Sequence, residues 1–244
     1  MIRLVFLFFL SFSISCFNAN AQFDTTHHLG LVNCVKNRYH IAIPVTLIAT
    51  GAILSNSKLK INLQKNVVGN SKTKVDDFLQ IAPAGITIGL EALGIGEHKP
   101  LQTAMIFTMS NVILNSIVHP LKHFTKVKRP DNSDFKSFPS GHTAEAFASA
   151  ELMRIEFKDD NPWLGYAGYL MAGATGYLRM YNNKHWISDV IAGAGIGIGS
   201  TKLAFLVYDK IADHRKFKKH INGNSMLIPN YRQNQICLNW IKHF

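Results

Sequence analysis

Two long apolar segments place the strongest limit on how this chain can fold. Residues 101–118 carry no formal charge, and residues 186–208 carry only one acidic and one basic side chain. Both segments are longer than typical β-strands, and neither alternates between apolar and polar residues. Segments 143–157 and 163–178 also lack the alternation of a strand. The sequence therefore predicts an all-α fold, a helical bundle of about five to six core helices.

The same two segments raise the question of a membrane. A spanning helix needs about 20 predominantly apolar residues, and only 101–118 and 186–208 approach that length. Segment 143–157 carries charged side chains that are costly in hydrocarbon, and the mean hydropathy of the chain is only +0.06. Stretches rich in Gly and Ala suit close helix packing in a membrane or in a soluble bundle. The sequence leaves both arrangements open, and the balance favours membrane association.

The first 21 residues have the pattern of an export signal. Arg3 precedes the apolar run 4–14, and the sequence Ala-Asn-Ala at 19–21 is a small-x-small cleavage site. We therefore predict export to the cell envelope, as a membrane-associated or periplasmic protein with its functional site on the exported face. The predicted organisation is a signal peptide at 1–21, a helical domain at 22–220 and a C-terminal tail at 221–244.

Removal of this signal leaves two cysteines, Cys34 and Cys237. In an oxidising compartment they could form a disulfide, although two buried thiols fit the sequence nearly as well. The basic segment 209–220 follows the last apolar segment, and the positive-inside tendency would place it in the cytoplasm if that segment spans a membrane. Cys237 would then be separated from an exported Cys34. The pairing therefore stays open.

The charge of the chain indicates an anionic partner. The 26 basic residues exceed the 15 acidic ones, which gives a formal net charge of +11. This excess suits a phosphorylated substrate or an acidic lipid surface. We exclude nucleic acid, because the chain has no zinc-finger spacing and no RNA-binding aromatic motif. His119 and His123 are four residues apart, but no cluster of cysteines or carboxylates completes a ligand set, so we predict no metal and no cofactor.

Lys122 and Arg129 form the first of three polar groups between residues 122 and 189. They lie seven residues apart, about two turns of helix, so both can project from one face of a helix that ends at Pro130. On their own they are better explained as a basic helix end that complements the helix dipole. Their register with the two later groups is what indicates an anion site.

The second group is the sequence Pro-Ser-Gly-His at 139–142, directly before a helix that begins at Thr143. A Ser-Gly turn at a helix N-terminus can point backbone N–H groups and the Ser140 hydroxyl at an anion. His142 would then stand at the entrance, where it could protonate a leaving oxygen. A simple N-capping turn is the alternative interpretation.

The third group consists of Arg179, His185 and Asp189. His185 and Asp189 are four residues apart and share a helix face, so the carboxylate can fix the imidazole and leave its other nitrogen free to attack. Arg179 precedes them and can bind an oxyanion through two N–H groups. A structural His–Asp pair is the alternative, but it does not explain the nearby Arg179.

In order and spacing, these groups resemble the three signature motifs of the type 2 phosphatidic acid phosphatase and vanadium haloperoxidase superfamily. The resemblance spans residues 122–189 and implies a metal-independent helical bundle whose motifs meet in one pocket. It implies that His185 is the nucleophile that forms a phosphohistidine, that Asp189 orients it, and that His142 is the general acid. The phosphate-binding residues implied by the resemblance are Lys122, Arg129, Ser140, Gly141 and Arg179.

One position departs from the family pattern, because Leu178 stands where the family usually has Ser before the arginine of the third motif. The cations and both histidines remain, so the resemblance implies a phosphomonoesterase. Its substrate would be a lipid phosphate, such as phosphatidic acid, an isoprenoid phosphate or lipid A, or a soluble phosphate ester. A vanadate-dependent haloperoxidase and a non-catalytic phosphate- or lipid-binding protein are the alternatives.

Overall fold

The structure is a computed structural model that describes residues 41–69, 72–222, 225–232 and 235–242, with side chains up to residue 212. The predicted signal peptide and Cys34 lie outside the described residues. The export signal therefore stays a prediction, and the pairing of Cys34 with Cys237 stays open.

Within these residues the chain forms eight helices and one hairpin. The helices are α1 (Ala42–Leu54), α2 (Leu59–Val67), α3 (Val75–Leu79), α4 (Ala82–Ala92), α5 (Pro100–Thr125), α6 (Gly141–Phe157), α7 (Pro162–Tyr181) and α8 (Ile187–Asn222). The predicted all-α bundle is confirmed. The chain separates into two compact units. The first ends at Ala204, and the second begins at Phe205.

The C-terminal tail contains a feature that the sequence analysis did not predict. Strands β1 (Ser225–Arg232) and β2 (Gln235–Lys242) pair antiparallel, with Ser225 opposite Lys242 and Arg232 opposite Gln235. Both strands contain isoleucine, leucine and aromatic residues, which favour extended structure. Eight-residue strands were missed because the segments considered in the sequence were all of helix length.

Local sequence explains where the long helices begin. Pro100 and Pro162 occupy the first turns of α5 and α7, where a missing N–H is harmless and the fixed φ suits a helix. Ser140 caps α6, since its hydroxyl accepts a hydrogen bond from the backbone N–H of Thr143. These starts place residues 139–142 at the tip of a helix, as the sequence predicts.

Helix α8 packs closely against two neighbours through small residues. A Cβ added at Gly197 would lie 2.1 Å from the carbonyl oxygen of Ala144 in α6, and one added at Gly195 would lie 2.7 Å from that of Pro44 in α1. The two glycines face different helices, because they are two positions apart on α8. Close contact of α8 with α6 brings the start of α8 to the N-terminus of α6.

Two of the described helices are long and apolar enough to cross a membrane. They are α5 and the segment Ile187–Ala212 of α8. The most apolar stretch of α5 is 28% buried within the protein, against 72% for the segment of α8. Helices α1 and α2 would form a third span if the pair, bent by 95°, is counted as one. A poorly buried apolar helix needs an apolar environment, which supports membrane association.

Candidate active site

The second and third polar groups of the sequence meet where α6 and α8 begin. The backbone N–H of Ser140 donates to the backbone carbonyl of Asp189 over 3.1 Å. The Ser137 hydroxyl donates to the Asp189 carboxylate over 2.5 Å. Both helices therefore present their N-termini, the positive ends of their dipoles, to the same region. Such a position favours a bound anion.

His185 and Asp189 form a buried pair at this place. His185 Nδ1 lies 3.4 Å from Asp189 Oδ2, and the two residues are 1% and 0% exposed. The backbone N–H of Trp186 donates to Asp189 Oδ2 over 3.0 Å, and the Ser188 hydroxyl donates to Oδ1 over 3.1 Å. The carboxylate is thus held in place by several donors, while the imidazole contacts it from one side.

Burial controls the charge of His185. It lowers the pKa of the imidazole to about 4, and the positive charges of Lys122 and Arg179 act in the same direction. Asp189 opposes this shift without reversing it. At neutral pH the imidazole is therefore uncharged and has a lone pair available for attack. Since Nδ1 faces Asp189, Nε2 is the nitrogen that can attack.

Lys122 and Arg129 lie on different elements. Lys122 is in the last turn of α5, where its Nζ donates to the backbone carbonyl of Lys136 over 3.2 Å. Arg129 lies in the following loop, and its Nε donates to Asp134 Oδ1 over 2.8 Å. The prediction that both project from one helix face is wrong, because α5 ends at Thr125 and the residue after it is left-handed.

Lys122 of the first polar group nevertheless lies near residues of the third group. Lys122 is close enough to Asp189 and Arg179 for their charges to interact. A separate link joins the loop after α5 to the segment before α8, since Lys184 Nζ lies 2.7 Å from Asp131 Oδ2. The loop after α5 is thereby fixed beside the third group.

Arg179 lies in the last turn of α7 and pairs with a residue that the sequence analysis missed. Its Nη1 donates to Asp76 Oδ2 of α3 over 2.6 Å, and Asp76 is 1% exposed. Asn182 donates to Asp76 over 3.3 Å and to the backbone carbonyl of Thr73 over 2.9 Å. Leu178 offers no hydroxyl, so Asp76 supplies the polar support. An acidic pair in a lysine-rich stretch was the only local signal for this contact.

His142 also contacts α3. Its Nε2 lies 3.0 Å from Asp77 Oδ1, and both side chains are partly exposed. The pKa of His142 lies below its ordinary value, because burial and the charge of Arg179 lower it and Asp77 and Asp76 only partly offset them. Arg179 therefore influences both histidines of the site, and two neighbouring acids of α3 contact Arg179 and His142.

Ser140 and Gly141 lie at the tip of α6. The Ser140 hydroxyl lies 2.9 Å from that of Thr143 and is fully buried. This is the N-capping geometry that the sequence left as an alternative, and an anion contact of the hydroxyl stays a prediction. A Cβ added at Gly141 would meet only Val118, at 3.9 Å. Protein packing therefore does not require glycine there.

Metal ligands are a separate question. The part of the chain that the structure describes contains no group of three or more His, Cys, Asp or Glu side chains that could hold a metal ion. His119 and His123 are both exposed on α5. Metal independence stays a prediction that chelation can test.

Comparison with known proteins places these groups in a family. Residues 103–213 match the sequence model of the PAP2 superfamily. These residues form a PAP2 domain. The predicted family is confirmed, and each of the eight predicted site residues falls within the PAP2 domain. Asp76 and Asp77 lie before it, so they belong to a part of the chain that the family match does not cover.

A relative and two solved structures are similar to this chain. The lipid A 1-phosphatase of Porphyromonas gingivalis is 31% identical over 183 residues, which cover 71% of this chain and 41% of that protein. The chain thus spans less than half the length of this relative. Aquifex aeolicus LpxE is 22% identical, with a TM-score of 0.46 and coverage of 63% of this chain and 98% of that one. A transmembrane PAP2 type phosphatidylglycerolphosphate phosphatase from Bacillus subtilis is 20% identical, with a TM-score of 0.47 and coverage of 69% and 97%.

Proposed function

We propose that this protein is a phosphatase that hydrolyses the phosphate monoesters of lipids, with His185 as its nucleophile. The observation that supports this most strongly is the buried His185–Asp189 pair. Its imidazole is neutral at neutral pH and is surrounded by the positive charges of Lys122 and Arg179. A neutral nucleophile beside two cations suits attack on the phosphorus of an anionic ester.

The proposed reaction has two steps. In the first, Nε2 of His185 attacks phosphorus, the bond between phosphorus and the ester oxygen breaks, and His142 donates a proton to that oxygen. In the second, water attacks the phosphohistidine, His142 takes a proton from the water, and the bond between phosphorus and nitrogen breaks. Inorganic phosphate leaves, and both histidines return to their starting protonation states.

The positive groups of the site would stabilise the transferred phosphoryl group. Lys122, Arg129 and Arg179 carry the charge, and the N-terminus of α6 at Ser140 and Gly141 adds backbone N–H donors. The transition state spreads its charge over three phosphoryl oxygens, so cations and N–H donors fixed around those positions stabilise it and accelerate the chemical step. The same groups would hold the product phosphate until it dissociates.

The position of the site in the two candidate spans supports a lipid substrate. Lys122 lies at the C-terminal end of α5, and Asp189 lies in the first turn of α8. The two spans therefore run in opposite directions and present the site at one shared end. A phosphate at that level can belong to a lipid whose chains lie in the bilayer.

The relative and this placement support the proposed substrate class. The Porphyromonas gingivalis relative is a lipid A 1-phosphatase by name, and α5 exposes Leu101, Met105, Val112 and Phe124. We propose phosphatidic acid, an isoprenoid phosphate or a lipid A phosphate as the substrate. The basic sequence at 209–220 begins within the last turn of the second span, at the end away from Asp189, so the positive-inside tendency supports a site on the exported face.

The test is phosphate release by the purified protein in detergent micelles that contain each lipid phosphate. We expect release from at least one lipid, persistence of that release in EDTA, and inhibition by vanadate. His185→Ala should abolish it, whereas Asp160→Asn, a change at an exposed residue in the turn between α6 and α7, should leave it unchanged. Failure of the wild-type protein to release phosphate from any of these lipids would contradict the proposed function. Loss in EDTA with recovery in zinc or magnesium would contradict metal independence.

A further inference from the structure

Two neighbouring acids of α3 contact two separate residues of the site. Asp76 accepts a hydrogen bond from Arg179 over 2.6 Å, and Asp77 lies 3.0 Å from Nε2 of His142. Both acids lie before the PAP2 domain in sequence. They reach the site because α3 packs against α6 and α7.

We propose that Asp77 is a positioning residue for His142 and that Asp76 is one for Arg179. This inference rests on the proposed function, since it assigns both acids to the same reaction. Asp77 keeps His142 oriented and increases the fraction of its imidazole that holds a proton before the proton is donated. Asp76 fixes the guanidinium of Arg179 where the phosphoryl oxygens bind.

The surroundings of Asp76 suit this role. A buried carboxylate is costly unless it is paired, and Asp76 meets that cost by accepting hydrogen bonds from Arg179 and Asn182. Asn182 and Thr73 also exchange two hydrogen bonds, of 2.9 and 3.0 Å, which fix the segment before α3 against the loop after α7. Asp76 is thus held on both sides.

Arg179 keeps a donor for a ligand after this pairing. Its Nη1 is engaged by Asp76, while its Nε is buried and makes no hydrogen bond to the residues that the structure describes. A buried N–H group without a partner is unfavourable, and a phosphoryl oxygen would satisfy it. The contact from Asp76 comes from outside the family motif, in which Leu178 offers no polar support.

Asp77 acts on His142 through charge and orientation. The charged groups whose influence on His142 is resolved are Arg179 of α7 and both acids of α3. Burial and Arg179 lower the pKa of His142, and Asp77 opposes them through its hydrogen bond and its charge. Without Asp77, the pKa would fall further and less of the imidazole would hold a proton at a given pH. A general acid must hold that proton before the leaving group departs.

The experiment compares Asp77→Asn with wild type on two soluble esters of similar shape, phenyl phosphate and p-nitrophenyl phosphate. We expect kcat for phenyl phosphate to fall roughly tenfold, less than removal of the whole acid would cause, and its decline at high pH to move to lower pH. Turnover of p-nitrophenyl phosphate should change less than about twofold, because a good leaving group needs little protonation. Asp77→Glu should restore most of the loss, and Asp160→Asn should change neither rate.

Asp76 is tested by phosphate affinity. Asp76→Asn should weaken inhibition by inorganic phosphate and vanadate by about tenfold, since a mobile guanidinium binds an oxyanion less well. Because Asp76 is buried, a thermal melt must first show that the variant is folded. Where Asp76→Asn does not fold, Asp76→Glu serves instead, and its weaker inhibition by phosphate would support the role.

Several results would overturn the inference. Equal losses on both esters would show that Asp77 matters only for structure, and higher activity in Asp77→Asn would show that it blocks His142. Wild-type affinity for phosphate in a folded Asp76 variant would remove the role of Asp76. A wild-type protein that releases phosphate from neither the lipid phosphates nor these soluble esters removes the proposed function itself, whereas an unaffected Asp77→Asn beside an active wild type removes only this inference.

Discussion

The ammonium group of Lys184 lies 2.7 Å from the carboxylate of Asp131 and so joins the residue before His185 to the loop that carries Arg129. The two side chains are 30% and 17% exposed. Partial burial opposes ionisation of Asp131, but hydrogen bonds from Lys184 and Ser133 outweigh it and lower the pKa of the carboxyl. This ion pair connects the first polar group of the site to the third.

Breaking this ion pair should reduce both stability and activity. We expect Asp131→Asn to lower the free energy of unfolding by about 0.5–1 kcal/mol at pH 7 and to reduce kcat/KM, because the loop of Arg129 is less firmly held. The lowered pKa means that the stabilisation is fully present above the unfolded-state pKa of aspartate, about 3.9, declines below it, and is lost as pH falls through the still lower pKa of the folded state. Thermal melts from pH 7 down to pH 2 check this, with Asp160→Asn as the control. An effect of Asp131→Asn that is as large at pH 2 as at pH 7 would contradict the ion-pair explanation.

The two histidines should fail in different ways. His185→Ala should form no phosphoenzyme, because the attacking nitrogen is missing. His142→Ala should still form one from p-nitrophenyl phosphate, and should lose about a hundredfold or more in rate with an alkyl phosphate, whose leaving group needs a proton. Protein incubated with a radiolabelled phosphate ester and quenched in alkali, because the P–N bond of a phosphohistidine hydrolyses in acid, measures the difference. Labelled phosphate on His185→Ala would show that another residue is the nucleophile.

The low pKa of His185 sets the acid limit of the reaction. Burial lowers this pKa to about 4, so the reactive neutral form dominates from neutral pH down to that value. We expect protonation of His185 to lower kcat/KM only as pH falls through about 4. Rates measured from pH 3 to 8, beside a spectroscopic check that the protein stays folded, test this. If kcat/KM instead falls near pH 6.5, and titration of the imidazole assigns this fall to His185, then His185 is more hydrated than its burial indicates.

Close packing at Gly197 predicts a large effect from one methyl group. Its added Cβ would lie 2.1 Å from the carbonyl oxygen of Ala144, so α6 and α8 must separate in Gly197→Ala. We expect a loss of about 1–3 kcal/mol in unfolding free energy and reduced activity, because the starts of both helices form the site. Gly89→Ala in α4 is the matched control, since nothing lies within 4 Å of its added Cβ. Alanine has a higher helix propensity than glycine, so Gly89→Ala should be as stable as the wild type or slightly more stable. Equal behaviour of Gly197→Ala and Gly89→Ala would contradict the packing argument.

Local spacing in the sequence was enough to predict some of the site. His185 and Asp189 are separated by about one helical turn, and a short separation constrains where two side chains can lie. Ser140 could be placed at a helix start for the same reason, because capping is a local interaction. The apolar segments likewise predicted the starts of α5 to α8 to within two residues, although α5 and α8 extend seven and fourteen residues beyond the predicted ends. These features depend on residues within a few positions of each other.

Other features depend on contacts that spacing does not contain. Arg129 was assigned to a helix that in fact ends at Thr125, because the left-handed residue that follows has no strong signal in the sequence. The contact between Arg179 and Asp76 joins residues 103 positions apart, and no periodicity predicts such a pair. The acids of α3 were therefore missed even though their charge was plain.

The shared end of the two candidate spans has a kinetic consequence. A lipid substrate would reach the site by diffusing sideways within its leaflet, so encounter is a two-dimensional process. The rate would then follow the mole fraction of substrate in the surface, and not its bulk concentration. Dilution of a lipid phosphate with neutral detergent at constant total substrate should slow the enzyme, whereas dilution of the whole mixture with buffer should not.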